Sequence, residues 1–193
     1  MKPSWKLWTT AALAFLFTLE PRSIGAGGPA DWDSLQRGGL VVLIRHAAAP
    51  GIGDPPHFRI GDCSTQRNLS AEGRRQAREL GEAFRRRKIP IENVYSSQWC
   101  RCKDTAELAF GSFLEHPALN SFFEHPALEA SRTEALKALL RQVRPGSGNL
   151  ILVTHQVNIT ALTGVVPAEG ELVVLRGEPD GRLRLLGRMT ASD

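Results

Sequence analysis

The sequence predicts an α/β domain: a three-layer, mostly parallel sheet with helices on both faces. Short, almost wholly apolar runs alternate with segments of helical periodicity, the pattern of a parallel sheet covered on both sides. Two of the runs, Gly39-Leu40-Val41-Val42-Leu43-Ile44-Arg45-His46 and Asn149-Leu150-Ile151-Leu152-Val153-Thr154-His155, end on a histidine. Ligands of open α/β sheets gather beyond the carboxyl ends of the strands, so two imidazoles placed there predict a shared site. A length of 193 residues suits one ordinary domain with a sizeable core and is too short for two.

The elements follow in order. Residues 1–26 have a basic end (Lys2, Lys6), an apolar stretch from Leu7 to Leu19 and a polar exit through Glu20-Pro21-Arg22-Ser23 to Gly25-Ala26. This is the layout of a secretory signal peptide, so residues 27–193 are expected to form the domain, in the periplasm or outside the cell. The apolar stretch is well short of the roughly 20 residues of a spanning helix, and no stable membrane span is expected after processing. A Gly/Pro linker, Gly27 to about Gly38, leads to a strand at Leu40–Arg45 and then a long polar loop, Ala47 to Asn68. Loops of that length inside a domain are often functional. Ser70 is placed to cap a helix reaching about Arg87, with Ala77, Leu80, Ala83 and Phe84 as its apolar stripe and Ile89-Pro90 as its stop. A short strand at Asn93–Ser97 and a helix from Trp99 to Phe110 come next. Ser131 and Glu134 have the spacing of a capping box ahead of Leu136, Leu139, Leu140 and Val143, with Pro145-Gly146 as terminator. After the strand at Leu150–Thr154 and a short helix, residues Glu171–Arg176 and Arg182–Arg188 flank Pro179-Asp180-Gly181 as a hairpin at the sheet edge.

One stretch is nearly duplicated: Phe113-Leu114-Glu115-His116-Pro117-Ala118-Leu119 and Phe122-Phe123-Glu124-His125-Pro126-Ala127-Leu128. Two short copies cannot build a solenoid, so they predict loop sequence with His116 and His125 on the surface.

Half of the formal charge of +4 lies in the first 26 residues, where Lys2, Lys6 and Arg22 face Glu20. The remainder is too weakly basic to predict a nucleic-acid partner. The run Arg85-Arg86-Arg87-Lys88 suits the carboxyl end of a helix, where cations complement the dipole. Of three cysteines, Cys63 can pair with Cys100 or Cys102 in an oxidising compartment, leaving one thiol over. Cys-x-Cys without a second pair, and no His-Glu-x-x-His, gives no reason to expect a metal or another cofactor.

Imidazole can attack phosphorus, and an adjacent guanidinium offers a fixed fork of donors to phosphoryl oxygens. Arg45-His46 supplies both. In Ser96-Ser97-Gln98-Trp99-Cys100-Arg101-Cys102-Lys103-Asp104-Thr105-Ala106 a strand turns into a helix that carries Arg101 in its first turn, a strong oxyanion arrangement. Together with Leu69-Ser70-Ala71-Glu72-Gly73-Arg74-Arg75-Gln76-Ala77 and Val153-Thr154-His155, the order of motifs resembles the histidine phosphatase superfamily, which includes the phosphoglycerate mutases and histidine acid phosphatases. The resemblance runs from about Leu40 to Leu162 and implies the phosphoglycerate mutase-like fold. It also implies His46 as a nucleophile that becomes phosphorylated, Arg45 and Arg101 as phosphoryl ligands, and His155 as a supporting donor, with no metal required.

The chain departs from the pattern in two places. Ala47 and Ala48 stand where many members have Gly and Glu, and Gln156 stands where the acid-phosphatase branch has Asp. An amide cannot protonate a leaving group, so Asp54, Glu124 and Glu171 become the acid candidates. Arg67, Asn68 and Gln156 are candidate substrate-binding residues. The resulting expectation is an exported phosphomonoester hydrolase, acting on a sugar phosphate or an envelope glycan phosphate. A phosphomutase is the weaker enzymatic reading, and the contrasting class is an envelope protein that binds phosphate with little or no turnover.

Overall fold

The structure, a computed structural model, describes residues 30–141 and 148–193. The signal-like segment 1–26, Val143 and the Pro145-Gly146 terminator lie outside the described residues. In chain order the elements are α1 (Trp32–Gln36), β1 (Val41–Arg45), α2 (Ala71–Arg86), β2 (Ile91–Ser96), α3 (Cys100–Phe110), β3 (Leu114–Glu115), α4 (Glu129–Leu140), β4 (Asn149–Thr154), α5 (Gln156–Thr163), β5 (Leu172–Gly177) and β6 (Leu183–Met189). Single 3₁₀ turns occupy Cys63–Thr65, Pro117–Leu119 and Pro126–Leu128.

The six strands form one sheet in the order β3-β2-β4-β1-β5-β6. β3, β2, β4 and β1 are mutually parallel, while β5 runs antiparallel to β1 and β6 antiparallel to β5. Alternation along the central strands sends side chains into two cores. Val42, Ile44, Ile151 and Val153 meet Leu80, Phe84, Cys102 and Ala106 of α2 and α3, together with Leu35 of α1. Val41, Leu43, Leu150 and Leu152 meet Leu136, Leu139 and Leu140 of α4 and Ile159 of α5. Both faces are therefore buried, which is why β1 and β4 read as unbroken apolar runs.

Ser70 caps α2 as predicted, its hydroxyl accepting from the Gly73 N–H at 3.0 Å. The capping box at Ser131 and Glu134 does not form. α4 begins at Glu129, so Ser131 already lies in its first turn and bonds back to the Leu128 carbonyl, while Glu134 pairs with Lys137. The Pro-initiated 3₁₀ turn at Pro126–Leu128 leads straight into α4 and displaces the box. β3, too short and too exposed to carry a strand signature, was not foreseen.

Candidate active site

The strand register sets the site. Arg45 of β1 lies opposite Thr154 of β4, and Ser96 of β2 opposite Val153, so His46, His155 and Ser97 emerge side by side at the carboxyl edge of the sheet. The His46 N–H donates to the Thr154 carbonyl at 3.0 Å and the Ser97 N–H to the Val153 carbonyl at 2.9 Å. The two imidazoles sit with ring centroids 5.6 Å apart.

His46 is buried, and its Nδ1 lies 2.9 Å from the Ala47 carbonyl. A carbonyl can only accept, so Nδ1 carries the proton and Nε2 keeps its lone pair. Burial, reinforced by the charges of Arg101, Arg67 and Arg45 and opposed by the bond to Ala47, pushes the His46 pKa down to about 3. The imidazole is therefore neutral at ordinary pH.

Two motifs hold the backbone that follows His46. Thr105 lies one helical turn beyond Arg101; its hydroxyl donates to the Arg101 carbonyl at 2.7 Å and accepts the Ala47 N–H at 3.0 Å. Gly73 approaches so closely that a Cβ there would stand 2.1 Å from the Ala48 oxygen, which explains the glycine. Gln76, one turn on, accepts the Ala48 N–H at 3.0 Å and donates to the Glu169 carbonyl at 2.8 Å. Glu169 in turn accepts from the Ala49 N–H and reaches Arg45 at 3.5 Å, while Arg45 also donates to the Pro167 carbonyl.

His155 is fixed differently. The Ser97 hydroxyl donates to Asn120 Oδ1 at 3.2 Å, so at 2.9 Å from His155 Nε2 it accepts that ring N–H. This leaves the Nδ1 lone pair facing Arg101, whose Nη2 is 3.5 Å away. Burial first, then the charge of Arg101, holds the His155 pKa well below that of a free histidine. Cys102 packs behind the ring with Sγ 3.5 Å from Nε2, and burial pushes its thiol up to about 12, which makes it unreactive as a nucleophile.

Arg101, 3 % exposed, is gripped by Asp54 through Nη1···Oδ1 at 2.8 Å and Nη2···Oδ2 at 3.1 Å. Asp54 also accepts from the Trp99 indole at 3.0 Å and the Arg67 N–H at 3.0 Å. Burial alone would raise this carboxyl, but the bonds and charge of Arg101, with those two N–H groups, outweigh it and hold Asp54 below the usual carboxylate range. Arg67 spans the same loop by donating to the carbonyls of Gly53 and Ala49. A disulfide between Cys63 and Cys100 ties the loop to the first residue of α3, which selects one of the two pairings the spacing left open.

These groups line an open cavity of about 800 Å³. Of the predicted residues it brings together Arg45, His46, Arg101, His155, Asp54, Glu124, Arg67 and Gln156. Two fall outside its lining. Glu171, proposed as an acid candidate, is clamped by Arg188 and the Ala168 N–H, and its pKa is lowered chiefly by the bond to Arg188. Asn68 turns its amide to the Cys63 and Gln66 carbonyls instead. His125 is exposed, as predicted, but it also lines the cavity. His116 is half-buried, its Nδ1 accepting the Ala118 N–H. The sequence reading missed the supporting roles of Ser97, Thr105, Gln76, Asn120 and Glu169. The first three stand inside the quoted motifs at one-turn spacings, which was the available signal; Asn120 and Glu169 have none.

A family model described as histidine phosphatase superfamily (branch 1) matches residues 41–121. The fold resembles several solved structures. One is a protein histidine phosphatase, SixA, complexed with tungstate (16 % identity, 79 % of this chain and 97 % of that one, TM-score 0.54). Another is an open reading frame product of Mycobacterium tuberculosis (20 % identity, 79 % and 98 %, TM-score 0.57). A third is a phosphoserine phosphatase mutant of Entamoeba histolytica in complex with phosphoserine (12 % identity, 79 % and 97 %, TM-score 0.55). No curated protein matches the chain significantly.

Proposed function

Because the chain belongs to the histidine phosphatase superfamily, we propose that it hydrolyses phosphomonoesters through a phosphohistidine on His46. The observation that carries this reading is the bond from His46 Nδ1–H to the Ala47 carbonyl, which leaves a neutral ring with an unprotonated Nε2 on the cavity wall. In the first step Nε2 attacks phosphorus, the P–N bond forms and the ester P–O bond breaks. The ring then carries a positive charge, which the Ala47 carbonyl stabilises at Nδ1–H. Arg101 and Arg45 take the equatorial oxygens, where the transition state spreads its charge. The dianionic phosphoryl group also supplies the countercharge under which His155 takes a second proton from solvent at Nδ1 as the substrate binds and donates it as a hydrogen bond to an oxygen. In the second step water attacks phosphorus, the P–N bond breaks, and phosphate leaves with His46 neutral again. The guanidinium groups compensate the charge, so the scheme calls for no metal.

Glu124 is the proposed acid and base: it protonates the departing alcohol oxygen and later accepts the proton of water. It lines the cavity and has no ion pair among the described residues, whereas Asp54 is held as a carboxylate by Arg101 and Glu171 is turned away. Export to the periplasm or beyond is part of the proposal, supported by the Cys63–Cys100 disulfide.

Hydrolysis of p-nitrophenyl phosphate in EDTA, lost in His46→Ala, is the expected result. Glu124→Gln should cost about 10² to 10⁴ in kcat on an alkyl phosphate and far less on the aryl ester, which needs little help to leave. Phosphate binding without turnover of any ester would favour the binding-protein reading, to which Gln156 in place of an acid lends its support.

A further inference from the structure

Among the described residues, eight large apolar side chains are exposed, and four of them, Ile52, Ile60, Phe123 and Leu128, line this one cavity. Ile52 is 90 % exposed and Phe123 52 %. Exposed apolar groups scattered singly need no explanation, but a cluster around a polar pocket marks a binding surface. The four come from two segments in contact, the loop after β1 and the second copy of the duplicated sequence: a Cβ at Gly53 would lie 2.8 Å from Glu124 Oε1 and 3.9 Å from Phe123 Cε1. A volume of about 800 Å³ is the size of a site for a drug-sized ligand, several times larger than a phosphoryl group.

We propose that this collar binds the aliphatic chain of a phosphorylated alcohol, whose phosphate sits against His46 and Arg101. The proposal rests on the reading of that floor as a phosphoryl site and names the alcohol. A sugar would need hydrogen-bonding groups on all sides; here Ser121, Glu124, His125, Arg132 and Gln156 share the lining with the four apolar side chains. A planar aromatic alcohol would find a single exposed ring in the collar, Phe123, since Phe58 and Trp99 are stacked on each other at 5.0 Å and 17°. Three of the four collar side chains are aliphatic and can conform to a flexible chain. In the duplicated sequence Leu119 of the first copy is buried in the core, while its counterpart Leu128 in the second turns out to the cavity.

The test measures binding and turnover separately on the full chain, with ligands kept below micelle-forming concentration. Calorimetry with methyl-, butyl- and octylphosphonate should show octyl binding at least about tenfold tighter than butyl, since one fully buried methylene is worth about fourfold. Phe123→Ser and Ile52→Ser, both at exposed positions, should each lower the octyl-to-butyl ratio severalfold. Equal affinity across the series, or a ratio unmoved in both variants, overturns the collar. So does a naphthylphosphonate that binds more tightly than octyl, or glucose 6-phosphate hydrolysed with a higher kcat/KM than octyl phosphate. Chain-length dependence without hydrolysis of any ester would leave the collar standing and overturn the phosphatase reading. Hydrolysis without chain-length dependence would do the reverse.

Discussion

His46 and His155 occupy equivalent places, one residue past the ends of adjacent parallel strands, yet their surroundings fix opposite tautomers. His46 gives its Nδ1 proton to the backbone of the next residue, a local contact requiring nothing distant, and keeps Nε2 free. His155 gives its Nε2 proton to Ser97, itself oriented by Asn120, and turns Nδ1 to Arg101. The strand ends place both rings; the partner of each ring decides its chemistry. A ring bonded to its own backbone retains a lone pair for attack, whereas a ring embedded in a side-chain network is suited to respond to charge entering the pocket.

The largest expected effect separates the two. His46→Ala removes the proposed nucleophile and should lower kcat on p-nitrophenyl phosphate by about 10⁴ or more, whereas His155→Ala removes one donor to the phosphoryl group and should cost about 10² to 10³. Rapid-quench capture of a phosphorylated protein should fail in the first variant and succeed in the second. Equal losses, with labelled protein absent from both or present in both, would erase the distinction.

The sheet centre, both histidines and Arg101 were legible because their signals are local: an apolar run, a strand end, a helix start. The partners were not, because they arrive from other elements. Ser97 meets His155 across 58 residues of sequence and Gln76 meets Glu169 across 93. Asp54 is visible in the sequence as a carboxylate in the long polar loop, but its ion pair with Arg101 spans 47 residues and converts an acid candidate into a held anion. The failed capping box at Ser131 shows the opposite case: a valid local signal lost to a cap position three residues upstream, at Leu128, where the preceding turn already aligns the chain.

Smaller effects should come from the partners, and they should differ in kind. Ser97→Ala frees the His155 tautomer, with an expected loss of about 10- to 100-fold in kcat and little change in KM, because a misaligned donor near the reacting group is felt most in the transition state. Imidazole ¹⁵N spectra of the unliganded protein should show His155 losing its single-tautomer signature while His46 keeps its own. Thr105→Val, nearly isosteric, leaves the buried Ala47 N–H without its acceptor and should cost about 1–3 kcal/mol of stability, measured by urea denaturation. If Ser97→Ala moves the His46 resonances instead, the two rings are not independently set.

The pH dependence of stability tests what the rings share. Both are held neutral in the folded protein, with His46 titrating near 3 and His155 well below its free value, chiefly through burial. An unfolded histidine takes up its proton near pH 6.5. Above that pH both states are neutral and the full stability is present. As the pH falls below it, the unfolded chain binds protons that the folded protein refuses, so stability declines until the folded pKa is reached. Each histidine contributes a slope of about 1.4 kcal/mol per pH unit in that window. Urea midpoints between pH 6 and 4 should therefore flatten by about one such slope in His46→Gln and by a second in the double variant with His155→Gln. Saturating inorganic phosphate should reduce the share of both rings, because the bound anion faces the free Nε2 of His46 as well as Nδ1 of His155 and lets each accept a proton in the folded state. A slope that is unchanged in His46→Gln would mean that its ring is already protonated in the folded protein, and the unprotonated Nε2 on which the proposed chemistry depends would be lost with it.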